Sequence, residues 1–171
     1  MDKELICGGK FVFGHETISL LVSLKDLPKE IVFEGNTLLV NDFLHVSLIC
    51  IGKIIEKYNI QVTNFKDEII KDFCEFSNEN NIEPISYTND FKFVEKEDKK
   101  TIVAMCKVPN LNKFFELINK KYKLNIEYPP THVTLYKQPG KLGIFLTDTI
   151  DIKNLTKPIS NPIGYSLESS N

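Results

Sequence analysis

A short pattern of histidine, any residue, hydroxyl residue and leucine occurs twice in this chain, within LHVSL at 44–48 and THVTL at 131–135. Both copies lie in apolar, β-branched segments, a composition that favours strands. Successive side chains of a strand point to opposite faces, so each copy places an imidazole and a hydroxyl on one face and apolar groups on the other. The polar side chains are His45 and Ser47 in the first copy, and His132 and Thr134 in the second. The pattern predicts two half-buried strands with matching polar faces.

The rest of the chain predicts an α+β protein. Strands are predicted at 18–24, 44–51, 85–94, 101–108 and 131–137, with shorter candidates at 38–40 and 163–167. A further short element of unassigned type is predicted near 144–152. Helices are predicted at 65–79 and 110–122, where apolar residues recur on one stripe and Asn64 and Asn110 can act as N-caps. Each motif strand therefore has its own flanking strands and helix. No linker is visible, which favours a single domain over 1–171.

The charge balance restricts the class of ligand. The 171 residues include 21 basic and 23 acidic side chains, for a net charge of −2. Broad binding of long duplexes depends on many phosphate contacts from basic side chains and does not suit this balance. A small or short-ended phosphate ligand suits it better.

The four cysteines predict reduced thiols. Cys7, Cys50, Cys74 and Cys106 form no Cys-x-x-Cys pair, and no zinc-ligand spacing is visible. The start of the chain lacks the basic and apolar regions of a signal peptide, and no stretch is apolar enough to span a bilayer. These observations favour a cytoplasmic protein with no membrane partner, no metal and no cofactor.

Two imidazoles and two hydroxyls on one surface suit the cleavage of a phosphodiester. A neutral imidazole can take a proton from the attacking water or sugar hydroxyl, and an imidazolium can protonate the leaving oxygen. Hydroxyl groups can donate hydrogen bonds to the phosphate oxygens as charge develops on them. The residues do not indicate which histidine is the acid and which the base.

With its paired motifs, the chain resembles the two-histidine (2H) phosphoesterase superfamily, which includes the 2′–5′ RNA ligase-like proteins and cyclic phosphodiesterases. The resemblance implies a bilobal α+β fold, with two antiparallel-sheet lobes, covering helices and a central cleft. It implies His45 and His132 as the catalytic pair, and Ser47 and Thr134 as phosphate-binding residues. The first copy has Ser47 where threonine is commoner in the family, but the hydroxyl is kept.

The resemblance also implies the activity and the partners. The expected activity is that of a metal-independent phosphodiesterase, or hydrolase. Its expected substrate is a small or terminal phosphodiester: an RNA end with a 2′,3′-cyclic phosphate, a 2′–5′ oligonucleotide or a cyclic nucleotide. The protein is expected to be a monomer. Two alternatives stay open: an RNA ligase that joins 2′–5′ ends, and a nucleotide- or RNA-binding module without turnover.

Three further residues are candidate substrate contacts. Tyr136 is predicted on the face of His132, where it could stack on a base. Lys137 follows the second motif, as basic residues often do in the family, although strand alternation points it away from His132. His15 belongs to a third, poorer motif, His15-Glu16-Thr17, and is expected to be exposed or to contact the substrate.

Overall fold

The computed structural model describes residues 3–83 and 86–170. Within these residues the chain forms ten strands and four helices. The strands are β1 (Glu4–Ile6), β2 (Phe11–Gly14), β3 (Thr17–Leu21), β4 (Glu30–Phe33), β5 (Asn36–Val40), β6 (His45–Cys50), β7 (Ser86–Lys96), β8 (Lys99–Lys107), β9 (His132–Lys137) and β10 (Thr156–Ile159). The helices are α1 (Ile51–Lys57), α2 (Phe65–Glu79), α3 (Leu111–Tyr122) and α4 (Thr149–Leu155), and a short 3-10 turn covers Cys7–Gly9. The predicted α+β class is confirmed.

The ten strands belong to one antiparallel sheet across the described part of the chain. Eight of them follow the order β1-β2-β3-β6-β9-β8-β7-β10, and β4 and β5 form a ribbon that joins at β9. The two motif strands, β6 and β9, are neighbours at the centre of this order, where Val46 lies opposite Val133. The sheet therefore brings the two copies of the motif side by side.

The main core lies between one face of the sheet and helices α2 and α3. Ile69 and Phe73 of α2 and Phe114 of α3 are fully buried, and the rings of Phe11 and Phe73 pack edge to face with centroids 4.8 Å apart. The predicted apolar stripes of both helices are confirmed. Asn64 and Asn110 occupy the N-cap positions, but their side chains make no capping hydrogen bond, and Asn110 Nδ2 instead donates to the carbonyl of Asn81.

A smaller apolar cluster lies on the opposite face of the sheet. Val94 of β7 and Val103 of β8 pack there with Ile144 and Leu146 from the segment that follows β9. This cluster holds 141–148, named here the covering segment, against the sheet. The covering segment thus lies on the face to which the motif histidines point.

Several predicted elements differ from the structure. The short element predicted near 144–152 includes the first residues of α4, and the last strand is β10 at Thr156–Ile159, not 163–167. Helix α1 begins directly after β6 and was not predicted. Ile85, the predicted start of one strand, lies outside the described residues, and the strand is described from Ser86.

The prediction of four reduced cysteines is wrong for two of them. Cys7, in the 3-10 turn, and Cys74, in α2, form a disulfide that joins residues 67 positions apart in sequence. Cys50 and Cys106 have free thiols. Disulfides persist mainly in oxidising compartments, so the cysteines no longer support the cytoplasmic expectation. No helix in the described ranges has the length and apolar character needed to cross a bilayer.

Candidate functional site

The motif side chains line one cavity of about 340 Å³. Because β6 and β9 are antiparallel with Val46 opposite Val133, His45 lies beside Thr134 and Ser47 lies beside His132. All four side chains line the cavity, which is named here the histidine cavity. Each imidazole is thus next to the hydroxyl of the other motif.

Both motif strands contain a β-bulge at the leucine that follows the hydroxyl residue. Ile18 and Ser19 of β3 pair with Ile49 and Ser47, which leaves Leu48 as the extra residue. Ile102 and Val103 of β8 pair with Tyr136 and Thr134, which leaves Leu135 as the extra residue. Both leucines are buried in the main core. The repeated leucine therefore marks a repeated backbone irregularity, and bulges of this kind re-aim the side chains that follow.

The bulge in β9 corrects the predicted position of Tyr136. Simple alternation placed Tyr136 beside Thr134, but the extra residue turns its side chain into the main core, where it is fully buried. Its hydroxyl donates a hydrogen bond to the carbonyl of Pro28 over 3.1 Å. Burial raises the pKa of Tyr136 to about 12. Tyr136 does not line the histidine cavity, so it has no ring surface to offer a base there.

The same bulge brings Lys137 into the histidine cavity, although strand alternation had pointed it away. Lys3 also lines this cavity, with Nζ 3.2 Å from the centre of the Phe43 ring. In the described part of the chain neither lysine forms an ion pair, and the residues lining the cavity include no aspartate or glutamate. A cavity with this charge pattern favours an anion.

Both imidazoles are held in the same way. Nδ1 of His45 lies 2.9 Å from the carbonyl oxygen of Phe43, and Nδ1 of His132 lies 2.8 Å from that of Pro130. A carbonyl oxygen only accepts hydrogen bonds, so Nδ1 carries the proton in both rings. In the neutral rings, Nε2 is therefore the atom with the free lone pair, which is the arrangement that a general base requires.

Burial changes the proton affinity of both rings. It is the largest cause of the lowered pKa of His45, which the nearby ammonium of Lys3 lowers further, while the hydrogen bond to Phe43 opposes the shift. Burial also lowers the pKa of His132, with a smaller contribution from the charge of His45. Since each ring disfavours charge on the other, the first proton that the pair takes up makes the second harder to add.

Asn41 is a positioning residue that the sequence did not indicate. Its Nδ2 donates to the carbonyl of Phe43, which also holds His45, and to the carbonyl of Thr134. Its backbone N–H donates to the carbonyl of Leu135. One side chain thus ties the segment before β6 to the bulged part of β9. The turn-forming pair Asn41-Asp42, just before the first motif, was the available signal.

His15 lies at the rim of the histidine cavity and is exposed, as expected. It is the first residue of a two-residue turn between β2 and β3, where His15 and Glu16 have φ values of 50° and 58°. Such a turn has the geometry of a tight hairpin connection. A Cβ at Gly52 would lie 2.9 Å from Cβ of Glu16, so the glycine allows this turn to pack on the first turn of α1.

The comparisons with known proteins identify no relatives. No protein-family model matches the chain, and no curated protein or solved structure matches it. In the described ranges, no group of three or more His, Cys, Asp or Glu side chains is arranged to hold a metal ion. The histidine cavity therefore has to be interpreted from its own chemistry.

Proposed function

We propose that this chain is a metal-independent phosphodiesterase with His45 and His132 as an acid–base pair. One observation carries the proposal: two imidazoles, held in the same tautomer by equivalent carbonyls, line one cavity together with two hydroxyls and two lysines. The lysines favour an anionic ligand, and the absence of carboxylates among the lining residues removes a source of repulsion. A phosphodiester is an anion that needs an acid and a base for its cleavage.

In the proposed reaction, the phosphodiester lies between the rings, and Ser47 and Thr134 donate hydrogen bonds to its non-bridging oxygens. Nε2 of the neutral histidine takes the proton of a water molecule as the water oxygen bonds to phosphorus. The other, protonated histidine gives its Nε2 proton to the ester oxygen as the bond from phosphorus to that oxygen breaks. Each proton transfer contributes on the order of 10²–10⁴ to the rate.

The lowered pKa values suit the base and constrain the acid. A histidine whose pKa is lowered by burial is neutral at pH 7 and ready to act as the base. The acid has to be protonated, and the negative charge of a bound phosphodiester favours that form. Binding of the anionic substrate thus stabilises the protonated imidazole, which burial otherwise disfavours.

The cavity size supports a small or terminal ligand. About 340 Å³ is at the lower end of ligand pockets, which run from roughly 300 to 1,000 Å³. The proposed substrates are those that the resemblance implies: a 2′,3′-cyclic phosphate end, a 2′–5′ oligonucleotide or a cyclic nucleotide. The bilobal 2H arrangement belongs to the same proposal. The strands β1-β2-β3-β6 form one group and the strands β9-β8-β7-β10 another, and each group carries one motif. The two groups meet at the pairing of β6 with β9, and this arrangement supports a fold of two lobes.

Turnover in the presence of EDTA tests the proposal. The substrates are 2′,3′-cyclic nucleotides, 2′–5′ and 3′–5′ oligoadenylates and cyclic dinucleotides. His45→Ala and His132→Ala are each expected to lower kcat by about 10²–10⁴, since each removes one proton transfer. Thr134→Val should lower it less, and Thr37→Val, an exposed threonine on β5, is the matched control.

The products and the binding data separate the alternatives. Products lengthened by joined 2′–5′ ends would indicate ligation by the same residues. Binding without turnover by the unmutated protein, unchanged in both histidine variants, would contradict the enzyme and leave a binding module.

A further inference from the structure

A second cavity lies against the histidine cavity and has a different character. Its volume is about 300 Å³, and it is named here the side cavity. Its apolar lining includes Leu48, Ile54, Phe115, Ile126 and Phe145. Phe145, from the covering segment, lines both cavities. Oγ1 of Thr17, in the lining of the histidine cavity, donates to Sγ of Cys50, in the lining of the side cavity, over 3.4 Å, so the two cavities are also in contact there.

The walls and the mouth of the side cavity differ in polarity. Tyr58 and Phe115 add two more aromatic side chains to Phe145. At the mouth, Nζ of Lys57 lies 3.8 Å from Oδ2 of Asp148, which places a hydrogen-bond donor and an acceptor side by side. An apolar, aromatic interior with a few polar groups at its edge suits a flat ring that carries donors and acceptors on its rim.

We propose that the side cavity binds a nucleobase of the substrate whose phosphodiester lies in the histidine cavity. This inference rests on the proposed function and adds the substrate feature that would give it specificity. The shared wall at Phe145 and the contact between Thr17 and Cys50 support a nucleobase, because they place the two cavities next to each other, as the phosphate and the base of one nucleotide require. In the described structure the lysines around the side cavity are paired, Lys53 with Glu56 and Lys57 with Asp148, so this cavity does not share the unpaired lysines that favour a phosphate in the histidine cavity.

Cys50 gives a direct probe of the side cavity in the unmutated protein. It lines that cavity and is half-buried. The other free thiol, Cys106, is buried, and burial raises its pKa to about 12, so it reacts slowly with alkylating reagents. Cys7 and Cys74 are joined in the disulfide. Iodoacetamide is therefore expected to modify Cys50 first.

The first experiment measures the rate of Cys50 alkylation by mass spectrometry with adenosine, uridine or ribose at millimolar concentrations. At least one nucleoside is expected to slow the reaction several-fold, while ribose leaves it unchanged. Equal rates with both nucleosides and with ribose would overturn the nucleobase site. This readout needs no turnover, so a protein that is protected by adenosine but cleaves nothing would keep the nucleobase site and lose the proposed hydrolysis.

The second experiment compares kcat/KM for adenosine 2′,3′-cyclic phosphate with that for ribose 2′,3′-cyclic phosphate, which has no base. The unmutated protein should prefer the nucleotide by about 5- to 150-fold, as expected for one stacked base. Tyr58→Ala or alkylation of Cys50 should reduce this preference, while cleavage of the compound without a base persists, since Tyr58 lines the side cavity and not the histidine cavity. Tyr165→Ala is the matched control, because Tyr165 is an exposed tyrosine that lines neither cavity. An unchanged preference in both altered proteins would overturn the proposal.

Discussion

At the residue scale, the two motif histidines are alike in their hydrogen bonds but differ in their surroundings. His45 lies beside the ring of Phe43, with centroids 4.8 Å apart, and Lys3 packs its ammonium on that ring. His132 is more deeply buried, and no lysine contributes to the lowering of its pKa. The ammonium near His45 is thus the feature that distinguishes the two rings electrostatically.

Replacing Lys3 should reveal the role of His45. The Lys3 charge lowers the pKa of His45, so Lys3→Met should raise that pKa. If His45 is the base, the acidic limb of the profile of kcat/KM against pH moves to higher pH. The measurement is that profile for the unmutated protein and for Lys3→Met, with Lys25→Met as a control remote from the cavity. A shift of the basic limb alone would assign His45 as the acid.

The buried histidines should also make the stability of the fold depend on pH. Burial lowers the pKa of His132 below the usual 6.5, so the unfolded chain binds more protons as the pH falls through 6.5. The free energy of unfolding should therefore be full above pH 6.5 and decrease below it. Urea unfolding between pH 5 and pH 8 measures this, in the range around the ordinary histidine pKa. His132→Asn should flatten the dependence relative to His15→Asn, which removes an exposed histidine; equal slopes would contradict the explanation.

At the element scale, the bulges decide which side chains meet in the cavity. Alternation along β6 and β9 was enough to predict that each histidine shares a face with its hydroxyl. The same alternation gave the wrong faces for the residues after Leu48 and Leu135, where each strand has a bulge. A bulge depends on how the partner strand packs, so the alternation of apolar and polar residues does not reveal it. This explains why the prediction had Tyr136 and Lys137 on the wrong faces. The apolar stripes of α2 and α3 were predictable because helical periodicity is a local property.

Gly52 links α1 to the turn that carries His15. Gly52→Ala would place a methyl group 2.9 Å from Cβ of Glu16, in a turn with little freedom to move. We expect a loss of about 1–3 kcal/mol in the free energy of unfolding, as for other overpacked sites. Chemical denaturation measures the loss. Gly143→Ala is the matched control, since its added Cβ would meet Thr134 only at ordinary contact distances of 3.6 Å and more. Similar losses in both variants would contradict the steric argument.

At the scale of the whole molecule, the disulfide joins the start of the chain to the helical layer. Cys7 lies between β1 and β2, and Cys74 lies in α2, which covers the main core. The sequence could not predict this pair, because 67 residues separate the two cysteines and only the packing of α2 brings them together. The bond closes a loop of the chain that includes the first histidine motif, but neither cysteine lines the histidine cavity.

Removing the disulfide should therefore lower stability and leave the site intact. Cys7→Ser combined with Cys74→Ser is expected to cost about 2–4 kcal/mol of unfolding free energy, the usual range for a cross-link of this kind. Thermal unfolding with and without reductant measures the effect. The doubly substituted protein should be insensitive to reductant, and its kcat on the best substrate should stay within a factor of about two, because neither cysteine lines the histidine cavity. A large loss of kcat would mean that the cross-link shapes the cavity.

The pairing of Val46 with Val133 places a local two-fold axis between the motif strands, and a phosphodiester has a two-fold axis of its own through phosphorus. A ligand with two ester arms can therefore enter such a site in two orientations that exchange the attacked and departing sides. Only residues outside the repeated motif can favour one orientation. Lys137 lies three residues after Thr134, whereas Cys50 lies at the corresponding place after Ser47, so the two halves carry different groups at this position. Regiochemistry, the choice of which ester bond breaks, would then be decided by the mismatch between the halves and not by the residues that they share.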